Sequence, residues 1–210
     1  MRSAPKLFLL CMASLALGGC AMGNRYDYDA VPVTMQGVSS AGVVAIAIAD
    51  ERPYVTSGNK TPQFVGLQRG GFGNPFDVNT SSGSAVASDL RDSVAKGLKS
   101  KGYNVTSVTV APGDANDAVK RKLTDARTKR SALIVLNELK SDSYMNSSVA
   151  YNMTLTVFDE RGNPLANSAA RGEDNVSGSG MIADESKITA AVAKRLEELF
   201  ADPKVSAALR

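Results

Sequence analysis

The run Val43-Val44-Ala45-Ile46-Ala47-Ile48-Ala49, bounded by Gly42 and Asp50, sets the architecture. It is continuously apolar and largely β-branched, as expected of a strand covered on both faces, the usual state of parallel strands flanked by helices. Downstream, Val86, Leu90, Val94 and Leu98 recur every four residues. This predicts an amphipathic helix from Gly83, with Thr80 or Ser81 as N-cap and Gly102 as its stop. Residues 103–110 alternate as a second strand. Pro112, Gly113 and Asp114 open a weaker helix reaching Lys129, with Val119, Leu123 and Ala126 inward. Residues 132–139 read as a third buried strand. Val149, Tyr151, Met153, Leu155 and Val157 alternate with polar neighbours, the pattern of a half-exposed antiparallel strand. A hairpin signal at 159–163 leads into a small-residue strand over 165–172, and a loop follows at 177–180. A last helix begins near Asp184, carries Ile188, Val192, Leu196 and Leu199 inward, and ends before Pro203.

The resulting order is β-α-β-α-β-β-β-α. It predicts one α/β (α+β) domain over residues 42–210, with helices packed on a mixed sheet. Right-handed crossovers make the first three strands parallel, and a meander extends the sheet antiparallel. Composition agrees. Of 210 residues, 43% are hydrophobic, 21% charged and 6% aromatic, which excludes wholesale disorder. There is no His, so the commonest general base and metal ligand are both missing. No feature predicts a cofactor, a metal site or catalysis, and no nucleic-acid partner is expected.

At the N-terminus, Arg2 and Lys6 precede an apolar stretch of residues 7–17, too short to span a bilayer but suited to a signal-peptide core. The stretch ends in Leu17-Gly18-Gly19-Cys20. This resembles the lipobox of bacterial lipoproteins, in which Leu, two small residues and Cys direct lipidation and cleavage. The resemblance implies that residues 1–19 are a signal peptide and that Cys20 becomes a lipidated first residue. Ala21 stands where an Asp would mark inner-membrane retention in enterobacterial lipoproteins, so the resemblance implies the outer membrane, facing the periplasm. Loss of residues 1–19 removes Arg2, Lys6 and Cys11 but no acid, leaving 22 cations against 21 acids, so the basic character mostly belongs to the signal. Residues 20–41 then read as lipidated Cys and flexible tether. The element order is also similar to small periplasmic α/β domains of the YajG-like group and the TolB N-terminal domain.

Residues 50–79 show neither helical nor strand period, long for a loop in a compact domain. Tyr54, Phe64, Phe72 and Phe76 fall there, with Arg52 and Arg69. Aromatics and Arg are the residue types enriched where proteins bind partners. Two readings follow: an ordered excursion packing its own aromatics, or a recognition surface for another envelope protein. A small-ligand or glycan pocket built on Arg52, Arg69 and the aromatics is an alternative, marked by a closed cavity beneath the loop.

Other motifs carry less. S-x-x-K occurs at Ser3, Ser57 and Ser93, in a chain with 22 Ser and 12 Lys, and Lys60-Thr61 is followed by Pro62 rather than by the Gly of a K-T-G box. A His-free Ser/Lys hydrolase needs such a pair within hydrogen-bond reach. Asp50, Glu51 and Asp77 match no Ca²⁺-loop spacing. Lys120, Arg121, Lys122, Arg127, Lys129 and Arg130 form a basic stretch, read as a solvated face or as a contact for anionic lipid head groups or acidic polymers near the membrane.

Overall fold

Eight strands form one sheet in this computed structural model, which describes residues 24–31, 33–38, 42–176 and 184–210. The expected signal peptide (residues 1–19), Cys20 and the expected 177–180 loop lie outside the described residues. In chain order the elements are β1 (Arg25–Tyr26), β2 (Val43–Asp50), α1 (Pro53–Thr56), β3 (Phe64–Arg69), β4 (Pro75–Thr80), α2 (Val86–Ser100) and β5 (Asn104–Ser107). Then come α3 (Asn116–Asp125), β6 (Arg130–Ser143), β7 (Ser147–Asp159), β8 (Pro164–Val176), α4 (Glu185–Ala201) and α5 (Pro203–Ala208).

The expected core of the fold is present. β2 pairs in parallel with β5 and β6, and β6, β7 and β8 form the antiparallel meander. The alternation of large and small residues in β2 decides which face takes which helix. Val44, Ile46 and Ile48 enter the main core with Leu90, Val94 and Leu98 of α2 and Ile188, Val192 and Leu196 of α4. Ala45 and Ala47 face the other way, where their small size admits α3 through Val119 and Leu123. Gly102, at φ +88°, follows α2 as predicted, and Gly162, at φ +80°, turns the β7–β8 hairpin.

Three expectations are corrected. The start of α2 is not capped by Thr80 or Ser81; the helix begins at Val86, and Ser82 Oγ donates to the Asp89 carboxylate instead. Residues 24–38, read as tether, are packed into the domain wherever they are described. Tyr26, Tyr28, Val33, Met35 and Val38 are buried, and β1 pairs with β4. Glu185 and Glu197 of α4 accept the Asp27 and Thr34 amides, Ser93 of α2 donates to the Val31 carbonyl, and Lys96 bridges to Asp29. This strap fits because Gly97 has no side chain: a Cβ there would lie 2.2 Å from the Val33 carbonyl oxygen.

The third correction concerns residues 50–79, which contain α1 and the β3–β4 hairpin rather than a periodless loop. The hairpin is inserted beside β6 through a fork in the sheet. One edge of β6 pairs with β2 over Arg130–Leu136 and then with β3 over Ser141–Ser143, while its other edge keeps β7 along its length. The change of partner coincides with a register shift between Leu136 and Glu138, which frees that edge for a second strand. Gly66 makes the crossing possible, since a Cβ there would meet Ser141 Oγ at 2.0 Å.

Candidate functional site

Arg52 was expected at a contact surface, and the structure places it at the crotch of the fork with 0% exposure. Its Nε and Nη2 each donate to Asp50 at 2.7 Å, a bidentate pair. Nη1 donates to the carbonyls of Phe64 (2.6 Å) and Leu139 (3.2 Å), and Nη2 also to that of Pro62 (3.4 Å). Burial opposes its charge, but the Asp50 carboxylate outweighs this and holds the guanidinium above its ordinary pKa. Every donor is therefore spent on joining β2, β3 and β6. Tyr54 packs edge-on against Phe64, with ring centroids 5.5 Å apart, and donates its hydroxyl to Glu138 and the Leu139 carbonyl. Burial pushes the Tyr54 phenol up. Phe64 is buried. Arg52 and Phe64 are thus inside the fold and present no recognition surface, while Tyr54, half-buried, turns its ring and hydroxyl toward them.

The remaining three belong to the far end of the hairpin, where the structure builds a surface feature. Residues 70–74 turn the chain between β3 and β4. Gly73 N donates to Gly70 O at 2.8 Å, with Gly73 at φ +81°, which leaves Phe72 at the crest with 99% exposure. Phe76 is half-buried, its ring against Gly70. Beside this turn stands a second one, residues 144–146, joining β6 to β7. The two are tied together. Arg69 Nε and Nη2 pair with Asp142 at 2.8 and 2.6 Å, and the Tyr144 hydroxyl donates to Gly71 O at 3.4 Å. Met145, 68% exposed, crowns the second turn. Two braced hairpin tips thus present Phe72 and Met145 at one end of the sheet.

Tyr144, Met145 and Asp142 were not singled out from the sequence. The signal available was an aromatic and a Met inside the polar run 141–148, where nothing local requires large apolar side chains. Charge at the tips is internally cancelled: Arg69 by Asp142 and, further down the hairpin, Lys60 by Asp77 at 2.5 Å. Turn residues Gly71, Asn74 and Asn146 are exposed and uncharged. Small uncharged residues around an exposed aromatic favour contact with an apolar or weakly polar partner.

The other motifs resolve into local pairings. Lys60 binds Asp77 and lies 4.8 Å from the Phe64 ring centre, Ser93 is bonded to Val31 O, and Lys96 is bonded to Asp29. Asp50 and Asp77, two of the three candidate cation ligands, are thus each engaged by a basic side chain. Among the described residues no group of three or more acidic, Cys or His side chains gathers as a metal site. A groove of about 240 Å³ at the base of the hairpin is lined by Arg25, Thr61, Gln63, Asn79, Thr80 and Gly83 and includes none of the six expected contact residues. The basic stretch is largely exposed; Lys122 pairs with Asp114, and Arg130, at the opposite end of the sheet, donates to the Ala208 carbonyl.

No protein-family model and no curated protein matches the sequence. Among solved structures, the chain is similar to a DUF330-family protein from Xanthomonas campestris at 11% identity and a TM-score of 0.49, covering 84% of this chain and 92% of that one. It is also similar to the PelC dodecamer from Paraburkholderia phytofirmans, at 13% identity and a TM-score of 0.39, covering 80% and 94%. The lipoprotein GNA1162 from Neisseria meningitidis is a third, at 14% identity and a TM-score of 0.39, covering 76% and 97%. Likeness at this level transfers no site residue and no partner. No helix among the described residues is long and apolar enough to cross a membrane.

Proposed function

We propose that this protein is a lipid-anchored component of the bacterial cell envelope, held at the outer membrane through Cys20, that works by contact rather than by catalysis. The paired hairpin tips are its contact surface. The observation that carries this reading is Phe72, wholly exposed on a turn that a second hairpin braces by hydrogen bond and ion pair. A large apolar side chain held out in water contributes nothing to folding, whereas at a contact surface its burial stabilises by about 1.5–3 kcal/mol. The anchor reading rests on the apolar stretch ending in Leu17-Gly18-Gly19-Cys20. Several acyl chains on one residue hold a protein firmly, because each buried CH₂ adds about 0.8 kcal/mol.

A closed cavity beneath residues 50–79 would favour the small-ligand alternative. Those residues instead form a short helix and a hairpin paired with β6, with Phe64, Val65 and Val78 buried, which favours surface contact.

The test has two parts. Growth with labelled palmitate should label the protein, and Cys20→Ser should abolish both label and membrane fractionation. A photoreactive residue at position 72 should give adducts in cells, to protein or to lipid, and one at Lys122, on the exposed face of α3, should give none. Equal labelling from both positions, or none from either with folded protein present, would overturn the tip as the contact surface.

A further inference from the structure

We infer that the hairpin tips rest on the lipid surface that holds the anchor, with Phe72 and Met145 seated in the boundary between head groups and acyl chains. This rests on Cys20 being lipidated, and it names the partner of the surface described above.

Strand direction decides the geometry. β1 runs parallel to β4, with Arg25 opposite Asn79 and Tyr26 opposite Thr80. The 70–74 turn precedes Pro75, so β1 enters the sheet from the side of the tips. Asn24 already follows that path: its carbonyl accepts the Asn79 amide and its side chain reaches Gln68. Cys20 lies five residues before Arg25, a reach of at most about 17 Å. From Asn79 back to Pro75, at the foot of the turn, is about 13 Å of strand. The anchor can therefore stand level with the tips but cannot pass to the far end of the sheet, about 40 Å away along β7. A bilayer holding Cys20 meets the molecule at this end.

The side chains there suit such a meeting. Among the described residues, Phe72 and Met145 are two of the few large apolar side chains left exposed. Tyr144, just beneath, has the amphipathic ring that settles at membrane interfaces. Within the two turns and the residues that flank them, Arg69 and Asp142 are paired with each other, so their contact with a membrane desolvates no lone charge among the described residues. The basic stretch on and after α3 lies at the opposite end, near the β7–β8 turn, because Arg130 at the start of β6 pairs with Asp159. Contact is thus apolar and insensitive to salt, unlike the electrostatic attachment that a basic face would give.

The experiment uses the lipidated full chain in vesicles of phosphatidylethanolamine and phosphatidylglycerol containing brominated phospholipid. An environment-sensitive fluorophore is placed on Phe72→Cys, Met145→Cys or, as control, Arg161→Cys in the β7–β8 turn. Cys20 is consumed by its thioether and Cys11 leaves with the signal, so each variant carries one label. We expect quenching by roughly half at 72 and 145, where the label sits about 5–10 Å into the boundary. Quenching should be slight at 161, and the pattern unchanged between low and high salt. Protein that floats with the vesicles while 72 and 145 stay unquenched, or quench no more than 161, overturns the inference and leaves the anchor reading intact. Concentration-dependent self-quenching at 72 without lipid quenching overturns it in favour of a second copy of the chain. Protein that neither floats nor carries lipid removes the anchor reading itself.

Discussion

A guanidinium stripped of water is tolerable only when its charge is matched and its donors are used, and Arg52 meets both conditions through Asp50 and three carbonyls. Arg52→Met should leave the Asp50 carboxylate buried without a partner, a loss of about 3–5 kcal/mol, seen as a fall of roughly 10 °C in thermal unfolding. Asp50→Asn combined with Arg52→Met should recover part of that loss; a double variant no more stable than the single one would show that the carbonyl contacts, not the charge, carry the site. Asp89 offers a pH-dependent test. Burial holds its carboxyl above the ordinary value of 3.8, while the Ser82 hydroxyl pulls the other way. A folded-state pKa above the unfolded one means that its contribution is fully present below pH 3.8 and declines as pH rises through the folded-state value. Asp89→Asn removes this titration and keeps an acceptor for Ser82. Urea unfolding of the two proteins should therefore show the natural chain losing ground to the variant as pH increases from about 4.

At the scale of elements, the strap of residues 24–38 and helix α2 depend on one glycine. Ala for Gly gains about 1 kcal/mol in an isolated helix, yet here the added methyl would stand 2.2 Å from the Val33 carbonyl oxygen. Gly97→Ala should release the strap rather than strengthen the helix, seen as faster amide exchange at Val33 and Met35 and proteolytic cleavage within 24–38. Unchanged exchange there would mean that the strap yields without undocking. The strap had a legible signal, the every-other-residue pairs Tyr26/Tyr28 and Val31/Val33/Met35, but Gly, Asn and Asp around them resembled a tether. β3 and β4 were harder to see. Their pairing crosses a register shift at Phe64/Gly66, and the other partner of β3, β6, lies more than sixty residues away in sequence, so nothing local reports it. Half of the candidate surface was legible in Phe72, Phe76 and Arg69. The other half, Tyr144 and Met145, belongs to a different hairpin that only the fork in the sheet brings alongside.

For the whole molecule, anchor and tips act together only if the link between them is short. A spacer of twenty Gly and Ser residues inserted after Ala21 would add roughly 25 Å of root-mean-square reach. The protein should still float with vesicles, while quenching of a label at position 72 drops toward that at 161; undiminished quenching would mean that the tips hold the bilayer by themselves. Periodicity, joined to the handedness of crossovers, determined the parallel strands on β2, the meander, three helices and the faces they bury, because these depend on spacings of two and four within continuous segments. The proposed N-terminal address is equally local, resting on one short apolar stretch and the four residues that end it. The tertiary structure decided what spacing cannot express: that Arg52 faces a carboxylate inside the fold, that the strap lies across Gly97, and that two distant turns share one end of the sheet. Those outcomes depend on which surfaces meet, and a strand edge or a buried charge finds its partner only once the chain between them has folded.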